Sequence, residues 1–330
     1  MNRLRNAPAG TQALVWASIA AIFYAASNLT MQVGSVHVNR IVATILLGTP
    51  AWITTVLVVL LTSRRRLLGQ VGKPGGPSWG TLASAVALGF AFYVIGNPLF
   101  VLATQYGGVI LSVPTVQTQA LWGAILAALL LGQALTARIL GGVGLFLAGL
   151  GLLSWGQSTG VTFGPLWMWA IPLGLGTGLF WGIGNTLTSK AVKDGLDPFS
   201  TLAIGTTVGF GSLHLYLVVS GQTGVWAATP LRAYVLMGLA GLFNCVAQIA
   251  ITTAYGLGEV AKVSTVNSSY LGLVAIVAWA FLHNPLNLVM MAGLVLIAVG
   301  AWMVQTQGRA GRRLGQPQPV VPQAGVHRTV

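Results

Sequence analysis

The side chains able to do chemistry in this chain are few, mostly neutral and set inside apolar runs. Asn28 and Asn185 lie 157 positions apart, and Phe23-Tyr24 precedes the first as Phe180-Trp181 precedes the second. Asn97 and Gln248 follow Phe92 and Phe243 at an offset of 151. Gln117 and Asn267 follow Val113-Pro114-Thr115-Val116 and Val263-Ser264-Thr265-Val266 at an offset of 150. A carboxamide donates and accepts hydrogen bonds without carrying charge. Between membrane helices such groups either bond a neighbouring helix, at roughly 0.6–2 kcal/mol a pair, or line a polar cavity. Their recurrence as an ordered set favours the cavity.

Two apolar runs carry a polar stretch of their own. In one, Pro114, Thr115, Gln117, Thr118 and Gln119 precede Trp122. Pro114 lacks a backbone donor and is expected to open the helix locally. Thr115, Gln119 and Trp122 recur at helical spacing and are expected to share a face. In the other run, Ser264, Thr265, Asn267, Ser268 and Ser269 lead to Tyr270, with Asn267 and Tyr270 on one face. These faces are the expected solute path. Trp122 and Tyr270 would stack on a ring or face a cation, or else serve as interface anchors.

Ionisable groups at depth are scarce. Glu259 and Lys262 stand at i and i+3, a spacing that lets them pair or gate a solute path. His214 is the histidine set well within an apolar run, where it either carries a proton or bonds a neighbour. HExxH, P-loop and CxxC patterns do not occur. Four histidines, one cysteine and three acids do not make a standard metal or hydrolytic site. The expectation is therefore no enzyme, no cofactor, no metal and no ATP-driven pump in this chain.

Composition names the solvent of these groups. Of 330 residues, 19 are charged, 16 basic and three acidic, which is 6%. Soluble domains run near ~25%. Mean hydropathy is +0.81. The net charge of +13 is not gathered on one face as a nucleic-acid surface needs. Instead Pro74 to Ala137, Ile139 to Ser189 and Val263 to Gly308 hold no Lys, Arg, Asp or Glu. Each stretch exceeds one ~20-residue membrane span. Partners are therefore expected to be lipids and a small-molecule substrate, with no nucleic acid, in a monomer or homodimer.

Ten apolar segments are predicted, at 12–34, 39–61, 79–102, 108–130, 137–155, 166–189, 199–220, 231–252, 259–281 and 286–304. With the N-terminus inside, 13 basic residues fall on the inner side and only Arg40 and Arg232 on the outer, with Lys262 near the inner start of the ninth segment. That is the positive-inside bias. The expectation is a multi-pass protein of the cytoplasmic membrane with both termini cytoplasmic.

The repeated order divides the chain into 12–155, 166–304 and a flexible tail, 305–330. Five segments per half is odd, so the second half enters from the opposite side. The predicted fold class is an all-α polytopic membrane protein of ten helices in an inverted 5+5 repeat, the plan of secondary transporters. Stripes of small residues, Gly174, Gly178 and Gly182 and then Gly205 and Gly209, suit close helix approach. The chain resembles the drug/metabolite transporter superfamily, in its bacterial ten-span branch with two EamA-type repeats. The resemblance rests on span count, repeat order and the hairpin between fourth and fifth segments. That hairpin reads Leu131-Gly132-Gln133 before Gly141, Gly142, Gly144 and Gly149, where the family carries Leu-Gly-Glu. The second copy reads Leu282-His283-Asn284 before Gly293 and Gly300, so both glutamates are replaced. The resemblance implies export or import of small metabolites. Without buried Arg or Lys, a neutral, zwitterionic or cationic solute is expected, an amino acid or relative first and by export. A sugar or polyol carrier comes second, and a channel or interaction scaffold is the alternative of another class.

Overall fold

The computed structural model describes residues 7–63, 76–158, 164–270 and 287–306. The basic cluster Arg64–Arg66, the later half of the ninth segment, the hairpin Leu282–Leu286 and the tail beyond Gln307 lie outside the described residues. The rest is helical: α1 Ala9–Gly34, α2 Arg40–Val58, α3 Trp79–Gly89, α4 Asn97–Val116, α5 Gln119–Leu131, α6 Ala137–Ser158, α7 Ala170–Lys193, α8 Pro198–Val219, α9 Leu231–Leu257, α10 Val260–Ser268 and α11 Leu288–Thr306.

Side-chain caps mark several starts. Asn39 accepts from the Ile41 amide at the head of α2, and Ser78 from the Thr81 amide at the head of α3. Asp197 accepts from the Ser200 amide at 3.0 Å at the head of α8. Each satisfies one of the amides that a helix start leaves without an intrahelical partner. Gly132 ends α5 with φ 61°, a left-handed conformation open to glycine at little cost.

Among the described residues, seven helical stretches are long and apolar enough to cross a membrane. Their outer surfaces are apolar: Trp79, Leu61, Val219 and Leu231 are all more than 70% exposed. The interior instead holds small and polar side chains, among them Ala17, Ala20, Thr44, Thr177 and Thr206. Water would not tolerate such an outer surface, whereas a hydrocarbon core is its natural solvent. The protein is an all-α polytopic membrane protein. Helix α7 is 24 residues long but is not among those seven. It carries a buried polar face of Thr177, Asn185, Thr186, Thr188 and Ser189.

Helix pairing follows a pattern. Helix α1 lies along α9, and α4 along α7; α2 meets α9, as α3 meets α7. Helix α10 packs on α1, as α5 packs on α7, and α6 lies along α11. The last contact is backbone against backbone. Gly142 meets Gly300 and Gly149 meets Gly293, so the two helices run antiparallel. A Cβ on Gly149 would stand 2.6 Å from the Gly293 carbonyl oxygen, and one on Gly293 would stand 2.7 Å from that of Gly149.

Three interruptions shape the middle of the molecule. Residues Phe90–Gly96 form a π-helical turn between α3 and α4, in which the Asn97 amide bonds the Phe92 carbonyl. Pro98 follows, and its ring would clash with the carbonyl four residues back in a regular helix. The wider turn relieves that clash. Gly108 breaks α4 at φ 65° and ψ −178°, a backbone suited to glycine. The third break, at Gln117-Thr118, separates α4 from α5 three residues beyond Pro114.

The glycine contact between α6 and α11 gives a direct test. Gly149→Val should destabilise by about 1–3 kcal/mol through overpacking and lower the melting temperature in detergent. Gly144→Val, where a Cβ meets nothing within 4 Å, should melt like the parent. Equal melting of both variants would contradict the packing described.

Candidate functional site

The first and third of these interruptions border a central cavity. Its volume is about 50 Å³. Eight of the ten residues nominated from sequence as solute-binding line it: Asn28, Asn97, Gln117, Gln119, Asn185, Gln248, Asn267 and Tyr270. All eight are less than 10% exposed.

Their hydrogen bonds form a chain that crosses the molecule. Asn185 of α7 donates to the Gln119 Oε1 at 3.0 Å. Gln119 Nε2 donates to Gln117 Oε1 at 3.0 Å. Gln117 Nε2 reaches the Tyr270 hydroxyl at 3.5 Å, and Asn28 Nδ2 of α1 donates to that same hydroxyl at 2.7 Å. A second pair of bonds stands beside it. Trp181 Nε1 donates to Asn97 Oδ1 at 3.0 Å, and the Tyr93 hydroxyl donates to Gln248 Oε1 at 2.9 Å. In the interior dielectric, such networks hold a fixed geometry when their members are satisfied.

Thr115 and Trp122 do not line the cavity; of Thr115, Gln119 and Trp122 only Gln119 does. The Thr115 hydroxyl bonds back to the carbonyls of Leu111 and Ser112 and sits against Gly174. Trp122 is 37% exposed and lies over Gly182. Both pack against the glycines of α7, and beside the break at Gln117-Thr118 the Gln119 side chain lines the cavity instead. Gln117 and Gln119 bond each other two positions apart, a spacing that a continuous helix would point to different faces.

The gating and coupling candidates lie elsewhere. Glu259 pairs with Lys262 at 3.1 Å at the start of α10. Beside them Lys193 donates to the Gly258 carbonyl, and Gln133 accepts from the Val260 amide at 3.1 Å. Gln133 thus ties the hairpin after α5 to the start of α10. His214 is remote from the cavity. Its Nδ1 bonds the Phe210 carbonyl at 2.7 Å, and its ring stacks on Trp226 with centroids 5.8 Å apart. Lys190 pairs with Asp194, whereas Asp197 caps α8.

Sequence reasoning missed the aromatic wall. Phe92, Tyr93, Phe100 and Trp181 line one side, with Phe100–Trp181 centroids 5.0 Å apart. Tyr24, Asn244, Thr252 and Tyr255 also face the cavity. The repeat held a usable signal: Tyr24 and Trp181 occupy matched positions at the offset of 157, and Tyr93 and Asn244 at 151. Among the described residues, no group of three or more His, Cys, Asp or Glu side chains gathers to hold a metal ion.

With this geometry in hand, the chain can be set beside known proteins. Residues 168–306 match the EamA-like transporter family. Over 145 residues the chain is 32% identical to the uncharacterized transporter YvbV of Bacillus subtilis (strain 168), a match covering 42% of this chain and 45% of that protein. The chain thus spans less than half the length of this curated relative. A protein of known crystal structure shares the fold with a TM-score of 0.64 at 14% identity, over 92% of this chain and 99% of that one.

Tyr270→Phe tests the network itself. It removes the oxygen that accepts from Asn28 and Gln117, leaving buried donors unpaired at a cost of about 1–3 kcal/mol. A lower melting temperature is expected, whereas Tyr216→Phe, at a position 49% exposed, should leave it unchanged. Parental melting of Tyr270→Phe would show that the hydroxyl does not hold the network.

Proposed function

We propose that this chain is a secondary transporter of the EamA-like family within the drug/metabolite transporter superfamily. It moves a small organic metabolite across the cytoplasmic membrane through the central cavity by alternating access. The carrying observation is the cavity: uncharged carboxamides and phenols, contributed by both halves of the chain, converge where helices are interrupted. Broken helices at a central site between two repeats are the usual transporter arrangement.

The ten-span, two-repeat reading has support of its own. Helix pairs α1–α9 and α4–α7 exchange under the offset that relates the halves, as do α10–α1 and α5–α7. The bonds follow the same exchange. Asn28 of the first half meets Tyr270 of the second, and Asn185 of the second meets Gln119 of the first. Gly142 and Gly149 match Gly293 and Gly300 in sequence and meet them in reverse order, as an internal twofold axis requires. The family match covers the second half alone, and the repeat carries the assignment to residues 12–155. Charge distribution supports cytoplasmic termini. Export is the direction we assign, with import of a sugar or polyol as the second reading.

The test is solute flux in proteoliposomes. Saturable counterflow, in which solute inside accelerates entry of labelled solute, is expected of a carrier. Asn185→Leu should reduce it at least tenfold, because it breaks the network at the cavity wall. Flux that rises linearly with gradient and shows no counterflow would make the protein a channel.

A further inference from the structure

The polar groups of the cavity are unevenly engaged, and the unengaged ones specify a solute. Asn28, Gln117, Gln119 and Asn185 are held in the network. Asn267 is different. It is 6% exposed, its Oδ1 is sealed and unbonded, and its carboxamide makes no hydrogen bond among the described residues. It lines the cavity, and a solute that bonds it would satisfy a buried group the protein leaves without a partner. Three residues on, the Tyr270 hydroxyl already accepts from Asn28 and Gln117. Its own proton is left to donate.

Among the described residues, the cavity lining holds no charge to meet a charged solute: none is Asp, Glu, Lys, Arg or His. A carboxylate or ammonium entering it would exchange water for neutral dipoles, which is unfavourable unless a counter-charge is present. A polyol would be poorly matched in another way, because Phe92, Phe100 and Trp181 make an apolar wall that leaves its hydroxyls without partners. A flat ring suits the wall formed by Phe92, Phe100 and Trp181, where Trp181 stands 6.4 Å and 5.0 Å from the two phenylalanines. The complement of an amide that offers a donor and an acceptor together is another amide edge.

Resting on the carrier reading above, we infer that the cavity selects an uncharged, planar heteroaromatic solute bearing a carboxamide or lactam edge. That edge pairs with Asn267 and accepts from Tyr270, while the ring lies against Trp181. This replaces the zwitterionic amino acid as first choice.

Three compounds on one ring make the test: nicotinamide, anionic nicotinate and cationic 3-(aminomethyl)pyridine, with glucose as the polyol. Binding is read by thermal shift on the detergent-purified full chain, since a ligand of the folded state raises its melting temperature. Nicotinamide should give a saturable shift, with the other three at least tenfold weaker. Asn267→Leu should lose nicotinamide binding. Asn267→Asp, which adds a carboxylate of the same size, should move the preference to 3-(aminomethyl)pyridine, a reversal that a merely structural residue would not produce. The inference fails if nicotinamide does not bind, if a charged compound or glucose binds as tightly, or if Asn267→Asp leaves the order unchanged. Counterflow separates this failure from that of the carrier reading. Saturable counterflow of a charged solute or sugar overturns the inference alone, and its absence for every solute overturns both.

Discussion

Polar groups inside a lipid-embedded helix bundle must find partners within the protein, because the hydrocarbon offers none. In this chain that constraint organises the centre. Its cavity carboxamides are buried with no ionised group among them, and most are satisfied by residues from distant parts of the sequence. The bond from Asn28 to Tyr270 joins residues 242 positions apart, and that from Asn185 to Gln119 joins residues 66 apart. Removing any member leaves a donor or acceptor stranded. The same network both ties distant parts of the sequence together and lines the cavity.

A rigid set of continuous helices would not build that surface. The π-turn at Phe90–Gly96 brings Phe92 and Tyr93 to the cavity just before Asn97. The break at Gln117-Thr118 lets two glutamines two positions apart face the same space. Local irregularity is tolerated at this depth because it faces protein and cavity rather than lipid. Away from the centre, α6 and α11 are bound by glycine contacts that bring their backbones together. Polar irregular helices therefore surround the cavity, and a small-residue seam joins the two halves beside it.

Much of this was legible in the sequence, and for definite reasons. Charge-free stretches longer than a span showed the class of fold. The pairs Asn28 and Asn185, Asn97 and Gln248, and Gln117 and Asn267 stood out as one ordered set, and all six line the same cavity. Thr115 and Trp122 pack on the α7 glycines rather than the cavity, and Pro114 signalled a break without fixing where it fell. The aromatic wall was not legible from composition. A chain with 11 Trp, 11 Phe and 7 Tyr gives lipid-facing and cavity-facing rings the same apolar surroundings. His214 was open between carrying a proton and bonding a neighbour; it bonds the Phe210 carbonyl, and the Trp226 on which it stacks comes from beyond the end of its own helix.

The most direct test of alternating access uses the chain's single cysteine. Cys245 is buried, and Cys245→Ala gives a thiol-free background. Thr252, 2% exposed and lining the cavity, is then replaced by cysteine and challenged with a membrane-impermeant thiol reagent from each face of sealed vesicles. The account predicts labelling from either face, with no passage of reagent to the opposite compartment. Labelling from one face only, or reagent crossing the membrane, would contradict it.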